Sequence, residues 1–327
     1  MSPPNKPFNY GGQAIMEGVM MRGEHDWAAC VRAPSGEIVV ERQALPQAVY
    51  RSRVLKWPFL RGLVMLWDSM GLGMRALLWS ADVAMDGEDE EAHFTGPLAW
   101  GTVALALALG VGLFMLLPMA LISLIDRHIA SPLWSNLAEG ALRLTLFVGY
   151  LVAIGRMPDI RRVFAYHGAE HKTINAYEAG APLEPQSVAR FSRAHVRCGT
   201  GFLLIVLLVF VALATLMGRP PFLVRLASRV VLIPVVAGIS YELLKLSARY
   251  YPRSAVVRAL VAPGLALQRL TTREPDLPML EVAIAALREV LASEGLEASA
   301  GEAPVAGEAP VAGETPAASP APAAADA

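Results

Sequence analysis

The sequence predicts a mainly α-helical polytopic membrane protein with about four transmembrane helices, a small N-terminal β-containing element and a disordered C-terminal tail. Apolar residues make up 54% of the chain and charged residues only 17%, whereas a typical soluble domain carries about 25% charge. Several apolar runs approach or exceed the roughly 20 residues that a helix needs to cross a bilayer. The chain closes with repeats rich in Pro, Ala, Gly and Glu, which cannot bury a core.

The N-terminal region, residues 1–57, is expected to be a cytoplasmic element. Apolar and polar residues alternate over 27–33 and again over 37–42. A Pro-Ser-Gly sequence at 34–36 lies between the two stretches and is typical of a turn. This arrangement predicts a β-hairpin.

A glycine-flanked segment at 11–23 precedes this hairpin and reads Gly-Gly-Gln-Ala-Ile-Met-Glu-Gly-Val-Met-Met-Arg-Gly. It permits two interpretations. One is a strand with turns and an ion pair. The other is a segment that packs over a functional site, so that Glu17 or Gln13 reaches a substrate or a metal ion.

Residues 58–81 are apolar but contain Arg61, Asp68 and Arg75, which are seven apart and therefore share one helix face. An amphipathic helix lying along the cytoplasmic leaflet is the favoured interpretation. The alternative is a fifth span, which would place the N-terminus on the other side of the membrane. The next stretch, 82–97, contains a run of acidic residues and is expected to be a solvated linker.

The transmembrane region is expected over 98–252. The weakest of its spans carries Glu139 and Arg143 near one end, where Arg143 can extend toward the interface. Besides these two residues and Glu242, few ionisable residues are expected to be buried in the spans, which argues against an ion-transport path. The four predicted spans are 98–125, 137–154, 202–217 and 230–246.

Basic residues are concentrated in the loop 156–198 and on both outer flanks of the transmembrane region, and the two short joints between spans hold few. By the positive-inside rule, both termini and the 156–198 loop are cytoplasmic. Residues 253–295 then form cytoplasmic amphipathic helices, with apolar residues at helical spacing over 277–291. Residues 296–327 form the disordered tail.

Residues 167–171 read His-Gly-Ala-Glu-His, which is the H-x-x-E-H arrangement known from zinc proteases. Two histidines four apart on a helix lie on the same side, about 40° apart, so both imidazoles can reach one metal ion. Glu170 lies roughly 100° round the helix from His171 and could polarise a water molecule at the metal. His167 and His171 are therefore predicted ligands and Glu170 a predicted general base. Two polar residues on a solvated helix face are the plain alternative.

A catalytic zinc ion takes three protein ligands and keeps one position for water. Glu242, expected near the cytoplasmic end of the last span, is the favoured third ligand, ahead of His195. Cys198 is an alternative, because it precedes a helix N-terminus whose dipole stabilises a thiolate. Glu178 shares the helix face of the two histidines but lies about 10 Å beyond them along the axis, so it is expected beside the site rather than on the metal.

Other functions and features find no support in the composition. A net charge of −1 gives no indication of nucleic-acid binding. Two cysteines, Cys30 and Cys198, argue against a disulfide framework. The first twelve residues contain one lysine and no apolar core, so no signal peptide is expected.

Four motifs occur in an order that resembles a known family. They are the segment at 11–22, Tyr-His-Gly-Ala-Glu-His-Lys at 166–172, Arg-Cys-Gly-Thr at 197–200 and Ser-Tyr-Glu at 240–242. Over roughly residues 8–275 the chain resembles the YqhQ-like family, which consists of bacterial multi-pass membrane proteins commonly described as predicted metal-dependent enzymes. The resemblance implies a protein of the bacterial inner membrane with a metal site at His167 and His171. It implies no particular substrate or reaction.

The leading hypothesis is a membrane-embedded hydrolase that depends on a divalent metal ion, zinc by its ligands, and acts from the cytosolic side on a protein or another membrane-surface substrate. The rival is a non-catalytic scaffold or assembly factor. Such a protein would have either a docking loop or a closed structural metal site made by His167, His171, His195 and Cys198. The lipid bilayer is the expected partner in both cases, and nucleic acid in neither.

Overall fold

The computed structural model describes residues 8–46, 57–85, 97–218 and 220–296. The acidic run at 86–91 and the predicted tail beyond residue 296 lie outside this part of the chain. Helices predominate in the described residues. They are α1 (Leu60–Met85), α2 (Pro97–Val111), α3 (Leu117–Ile125), α4 (Pro132–Ile154), α5 (Pro158–Glu178), α6 (Pro185–Val188), α7 (Gly199–Leu216), α8 (Phe222–Tyr250), α9 (Ala255–Thr271) and α10 (Leu277–Ser293).

Four strands near the N-terminus form an antiparallel meander in the order β1-β2-β3-β4. The predicted hairpin is confirmed, and its turn contains Gly36 at a positive φ of 89°, which glycine adopts without strain. The glycine-flanked segment forms a second hairpin, as the strand-and-turn interpretation predicted. The strands are β1 (Gly11–Ile15), β2 (Gly18–Arg22), β3 (Asp26–Arg32) and β4 (Ile38–Ala44).

Side chains alternate between the two faces of this sheet, and helices bury both faces. On one face, Ile15 and Met20 pack with Leu72 of α1. The other face packs against α10 and α5, with Met21 and Leu287 in one buried cluster. The helix predicted over 277–291 is therefore present as α10, and its apolar stripe is covered by the sheet and by α5.

Four helical segments are long and apolar enough to cross a membrane, which suggests a membrane protein and confirms the predicted number of spans. They are Trp100–His128, Pro132–Ile154, Gly199–Leu216 and Leu223–Tyr250. The last begins seven residues earlier than predicted, because Arg225 and Arg229 have acidic partners and do not interrupt the helix. Among the described residues α1 is not one of these four segments. It packs instead along α8 and the sheet.

The spans bury more charge than the sequence analysis expected. Glu139 of α4 accepts hydrogen bonds from Arg143 at 2.9 Å and from Arg229 of α8 at 3.4 Å. Arg225 pairs with Asp126 at 3.0 Å. Glu139 and the three arginines are buried. The expectation of few buried ionisable residues was therefore wrong, because each buried arginine has a carboxylate partner that offsets part of the cost of burial.

Candidate metal centre

The H-x-x-E-H motif lies on α5, as predicted. The helix begins at Pro158, where the missing N–H of proline costs no hydrogen bond, and ends before Gly180, which has a φ of 68°. His167 and His171 are one turn apart on the same face, with their ring centroids separated by 4.4 Å. The two predicted ligands are thus neighbours in space.

Backbone carbonyl groups orient both imidazole rings. His167 Nδ1 donates to the carbonyl oxygen of Thr271 at 2.9 Å, and His171 Nδ1 donates to the carbonyl oxygen of Arg193. A carbonyl oxygen only accepts hydrogen bonds, so each ring holds its proton on Nδ1 and presents the Nε2 lone pair as a ligand. The last residue of α9 and the loop 180–198 therefore set the tautomer of the two histidines.

Cys198 completes a group of three potential metal ligands. It is the N-cap of α7, where its sulfur accepts from the backbone N–H of Thr200 at 3.4 Å. Its Sγ lies 3.3 Å from His167 Nε2. One donor atom from each of His167, His171 and Cys198 lies within 4.8 Å of the others, and the described residues hold no other group of this kind.

These distances suit a small tetrahedral ion. Ligands bound to zinc at 2.0–2.3 Å lie about 3.3–3.7 Å from one another. The contact between Cys198 and His167 already has this length. The other distances between the three donor atoms, which are at most 4.8 Å, shorten to this range when the side chains rotate and their donor atoms move by about 1 Å. The donor set therefore fits a metal ion.

Glu170 lies beside this group without joining it. Its Oε2 is 3.5 Å from His171 Nε2, and the residue is 4% exposed. Gly12 of β1 packs directly on it, since a Cβ added at Gly12 would lie 2.9 Å from Glu170 Cγ. The sheet thus covers the predicted general base.

His195, a predicted alternative ligand, lies next to the group. Its ring centroid is 5.6 Å from that of His171, and Gln268 holds its backbone by hydrogen bonds of 2.9 and 2.8 Å. Its Nε2 is turned toward Glu178, at 3.9 Å. His195 is therefore adjacent to the three donors but is not one of them.

Glu178 lies at the periphery of the candidate site. It binds Arg197 and faces His195. Burial alone would raise the pKa of Glu178, but the neighbouring side chains of His195 and Arg197 outweigh burial and lower this pKa. The carboxylate is therefore an ionised anchor between α5 and the loop that carries Cys198.

The structure places Glu242, the favoured third ligand, elsewhere. Its carboxylate accepts two hydrogen bonds from Arg61 and one from the backbone N–H of Phe59 at 3.2 Å. It thereby joins α8 to the start of α1. Cys198, the alternative named in the sequence analysis, is the residue that lies beside the two histidines. Arg61 engages both oxygens of Glu242, a pairing that the sequence did not reveal.

The glycine-flanked segment does pack over the site, but neither of its predicted functional residues joins the three donors. Glu17 forms an ion pair with Arg162 and lies 3.4 Å from the hydroxyl of Tyr166. Burial raises the pKa of Tyr166, which therefore stays protonated as a donor. Gln13 extends to the other face of the sheet, against Gly73 of α1.

Sequence reasoning missed several groups that build the centre. They are the carbonyl groups of Thr271 and Arg193, the side chain of Gln268, and Gly12 as the residue that contacts Glu170. Backbone carbonyls carry no signal in a sequence. The Gly-Gly pair at 11–12 was a signal for close packing, and its partner was not deducible.

A family model matches residues 57–293, a stretch that contains His167, Glu170, His171 and Cys198; its description is "Protein of unknown function (DUF1385)". The chain belongs to this family. It is also similar to "Uncharacterized protein YqhQ" of Bacillus subtilis (strain 168), with 34% identity over 307 residues that cover 90% of this chain and 96% of that protein. The resemblance expected from the four motifs is confirmed. No solved structure matches the chain.

Proposed function

We propose that the protein is a zinc-dependent hydrolase that works at a membrane surface. His167, His171 and Cys198 hold the metal ion, and Glu170 is the general base. The observation that carries this proposal is the group of three donor atoms within 4.8 Å of one another, with a buried carboxylate directly beside it.

The donor set favours zinc over other common divalent ions. Two imidazole nitrogens and a cysteine sulfur are donors that zinc prefers, whereas calcium and magnesium prefer oxygen ligands. Three protein ligands leave one coordination position, which is the arrangement of catalytic zinc sites.

The bound ion would act as a Lewis acid that polarises a carbonyl group and makes water more acidic. Glu170 takes a proton from the attacking water and passes it to the leaving group. The water oxygen bonds to the carbonyl carbon as the C–N or C–O bond breaks, so an amide or ester yields an acid and an amine or alcohol. The sheet over Glu170 shields this proton transfer from bulk water.

The site belongs at the cytosolic surface of the membrane in this proposal. α5, which carries the two histidines, directly follows α4, and Cys198 caps the N-terminal end of α7, so the site lies beside one end of the candidate span Gly199–Leu216. Basic residues are concentrated in the same loop, which favours the cytoplasmic side. The substrate bond then lies in, or close to, the bilayer surface.

Metal analysis tests the ligands. We expect about one zinc ion per chain in the detergent-purified protein by elemental mass spectrometry, and its loss from the His167→Ala/His171→Ala variant. His128→Ala, which changes an exposed histidine just beyond the C-terminal end of α3, is the matched control and should keep the metal. Wild-type protein that binds no zinc after reconstitution would refute the proposal.

Glu170→Gln tests the chemistry. The variant should keep its zinc and lose about 100- to 10,000-fold of its rate with fluorescent casein or a chromogenic ester. The exposed Glu184→Gln variant is the control and should retain full activity. If Glu170→Gln retains full activity on every substrate that the wild type cleaves, the role of Glu170 as base is wrong.

A second candidate function has one observation in its favour. His195 Nε2 is buried without a hydrogen-bond partner in the described structure, and its ring lies 5.6 Å from that of His171. Rotation of His195 onto the metal would close a four-ligand structural site, as in a scaffold protein. His195→Ala distinguishes the closed structural site from the open catalytic site. A closed site loses affinity for zinc in this variant, whereas an open site keeps it.

A further inference from the structure

The strand β1 has a free edge, and the hydrogen-bond pattern defines which groups lie along it. Ile15 pairs with Gly18 across a two-residue turn, and such a closing pair is hydrogen-bonded on both sides. The ladder alternates from there, so the N–H and C=O of Gly12 and of Ala14 point away from β2. In the described part of the chain no strand pairs with this edge.

The free edge is open to solvent although helices cover both faces of the strand. Gly12 and Gln13 are both exposed, while Gly12 contacts α5 and Gln13 contacts α1. A cleft of about 190 Å³ opens beside the strand, on the side of α1. Its lining includes Asn9, Gly11, Gly12, Gln13, Arg22 and Ser69.

The same strand runs directly past the metal centre. Gly12 packs on Glu170, and Glu170 lies 3.5 Å from a ligand nitrogen of His171. Two adjacent glycines keep this part of the edge clear of side chains. A chain bound to the edge would therefore pass close to the general base.

We propose that β1 binds the substrate by β-strand addition, so that the substrate is an extended polypeptide segment. This inference rests on the proposed hydrolase function and specifies its substrate class. Donors and acceptors of Gly12 and Ala14 lie two residues apart along the edge, which is the spacing of a polypeptide main chain. A lipid ester or a small amide offers no such repeat.

The test compares two probes on the zinc-loaded protein in detergent. One is acetohydroxamate, which binds a metal centre alone. The other is the hydroxamate of acetylated tetra-alanine, which adds a main chain without side-chain preferences. The peptide hydroxamate should bind at least about tenfold more tightly, because two or more main-chain hydrogen bonds add to its affinity. Hydrogen exchange at the amides of Gly12 and Ala14 should slow when it binds.

Two proline variants provide the matched comparison. Ala14→Pro removes one outward N–H from β1 and breaks no bond to β2, since an edge strand tolerates proline at such a position. Val40→Pro is the equivalent change on β4. Ala33 N donates to Glu37 O, and hydrogen-bonded and non-hydrogen-bonded pairs alternate along the ladder from there. The pair of Cys30 and Val40 is therefore non-hydrogen-bonded, and the N–H of Val40 points outward. Ala14→Pro should abolish the tenfold advantage of the peptide probe, and Val40→Pro should keep it. Acetohydroxamate should bind all three proteins alike.

The outcomes separate this inference from the function on which it rests. Equal affinity for both probes, or an advantage that survives in Ala14→Pro, overturns binding at β1 and leaves the hydrolase proposal intact. If zinc-loaded protein binds neither hydroxamate, the metal centre is inaccessible to substrate and both proposals fall.

Discussion

Zinc should determine whether Cys198 can be alkylated, while Cys30 should stay unreactive with or without the metal. Only a thiolate attacks iodoacetamide. In the zinc-loaded protein the thiolate of Cys198 is bound to the metal and shielded. In protein stripped with a chelator its sulfur is free of metal and lies 3.3 Å from His167 Nε2, and Cys198 is 7% exposed.

The structure provides the reason why Cys30 should stay unreactive. Cys30 is fully buried between the sheet and α10, and desolvation raises its pKa to about 12. At pH 8 only about one Cys30 side chain in 10,000 is a thiolate, against about one in four for an unperturbed cysteine. Cys30 should therefore react roughly 2,000-fold more slowly than an unperturbed thiol. Its rate should rise about tenfold for each pH unit, because a raised pKa leaves the neutral form dominant until pH 12.

Intact-mass spectrometry measures the effect. Metal-free protein at pH 8 should gain one label, which Cys198→Ser removes and Cys30→Ala does not. Zinc should slow this labelling at least about tenfold, because iodoacetamide then reacts only with the small fraction of Cys198 that is free of metal. The His167→Ala/His171→Ala variant should show no zinc protection. Equal labelling of Cys198 with and without zinc would show that the sulfur is not a ligand.

Three further predictions concern folding. Gly12→Ala should lower the free energy of unfolding by about 1–3 kcal/mol, because the added Cβ would lie 2.5 Å from Met20 O and 2.9 Å from Glu170 Cγ. Gly11 has open space around it, so Gly11→Ala should be neutral in the same thermal scan. Glu139→Gln removes the carboxylate shared by two buried arginines and should cost about 3–5 kcal/mol, read from thermal unfolding in detergent; an unchanged midpoint would contradict the paired-charge interpretation. The pKa of Glu178 is lowered in the folded protein. Its contribution to folding stability is therefore present above the ordinary glutamate pKa and is lost as the pH falls through the lowered pKa. Glu178→Gln should accordingly weaken the acid dependence of unfolding below about pH 4.5.

Much of the fold could be predicted because its signals are local. An apolar run long enough to cross a bilayer identifies a span whatever surrounds it, and a Pro-Ser-Gly turn between alternating stretches identifies a hairpin. The face of α10 was equally visible in the sequence, but its partner was not. An apolar stripe indicates that something covers it, and the sheet, some 250 residues earlier in the chain, is a contact that no local pattern encodes.

In the candidate site too, the residues related by local helix geometry could be predicted from the sequence, and those brought together by distant contacts could not. His167, Glu170 and His171 were predictable because helix geometry relates residues four apart. The third ligand was not, because Glu242 and Cys198 were both expected in the same layer and nothing local separates them. The decision depends on Arg61, which lies 181 residues from Glu242 in sequence and pairs with both of its oxygens.

The spacing of the three ligands depends on how the candidate spans pack. His167 and His171 follow α4 along the chain, and Cys198 begins α7, so the distance between these two helices helps to set the distance between nitrogen and sulfur. Gly140 lets the helices approach closely, since a Cβ at that position would lie 2.5 Å from a methyl group of Val211. Next to Gly140 in sequence, Glu139 joins α4 to α8 through Arg229. The close packing at Gly140 and the ion pair of Glu139 therefore fix the same level of α4 against α7 and α8, and help to hold the candidate ligands together at the other end of α7. This is a physical reason to retain costly ionic groups inside the spans.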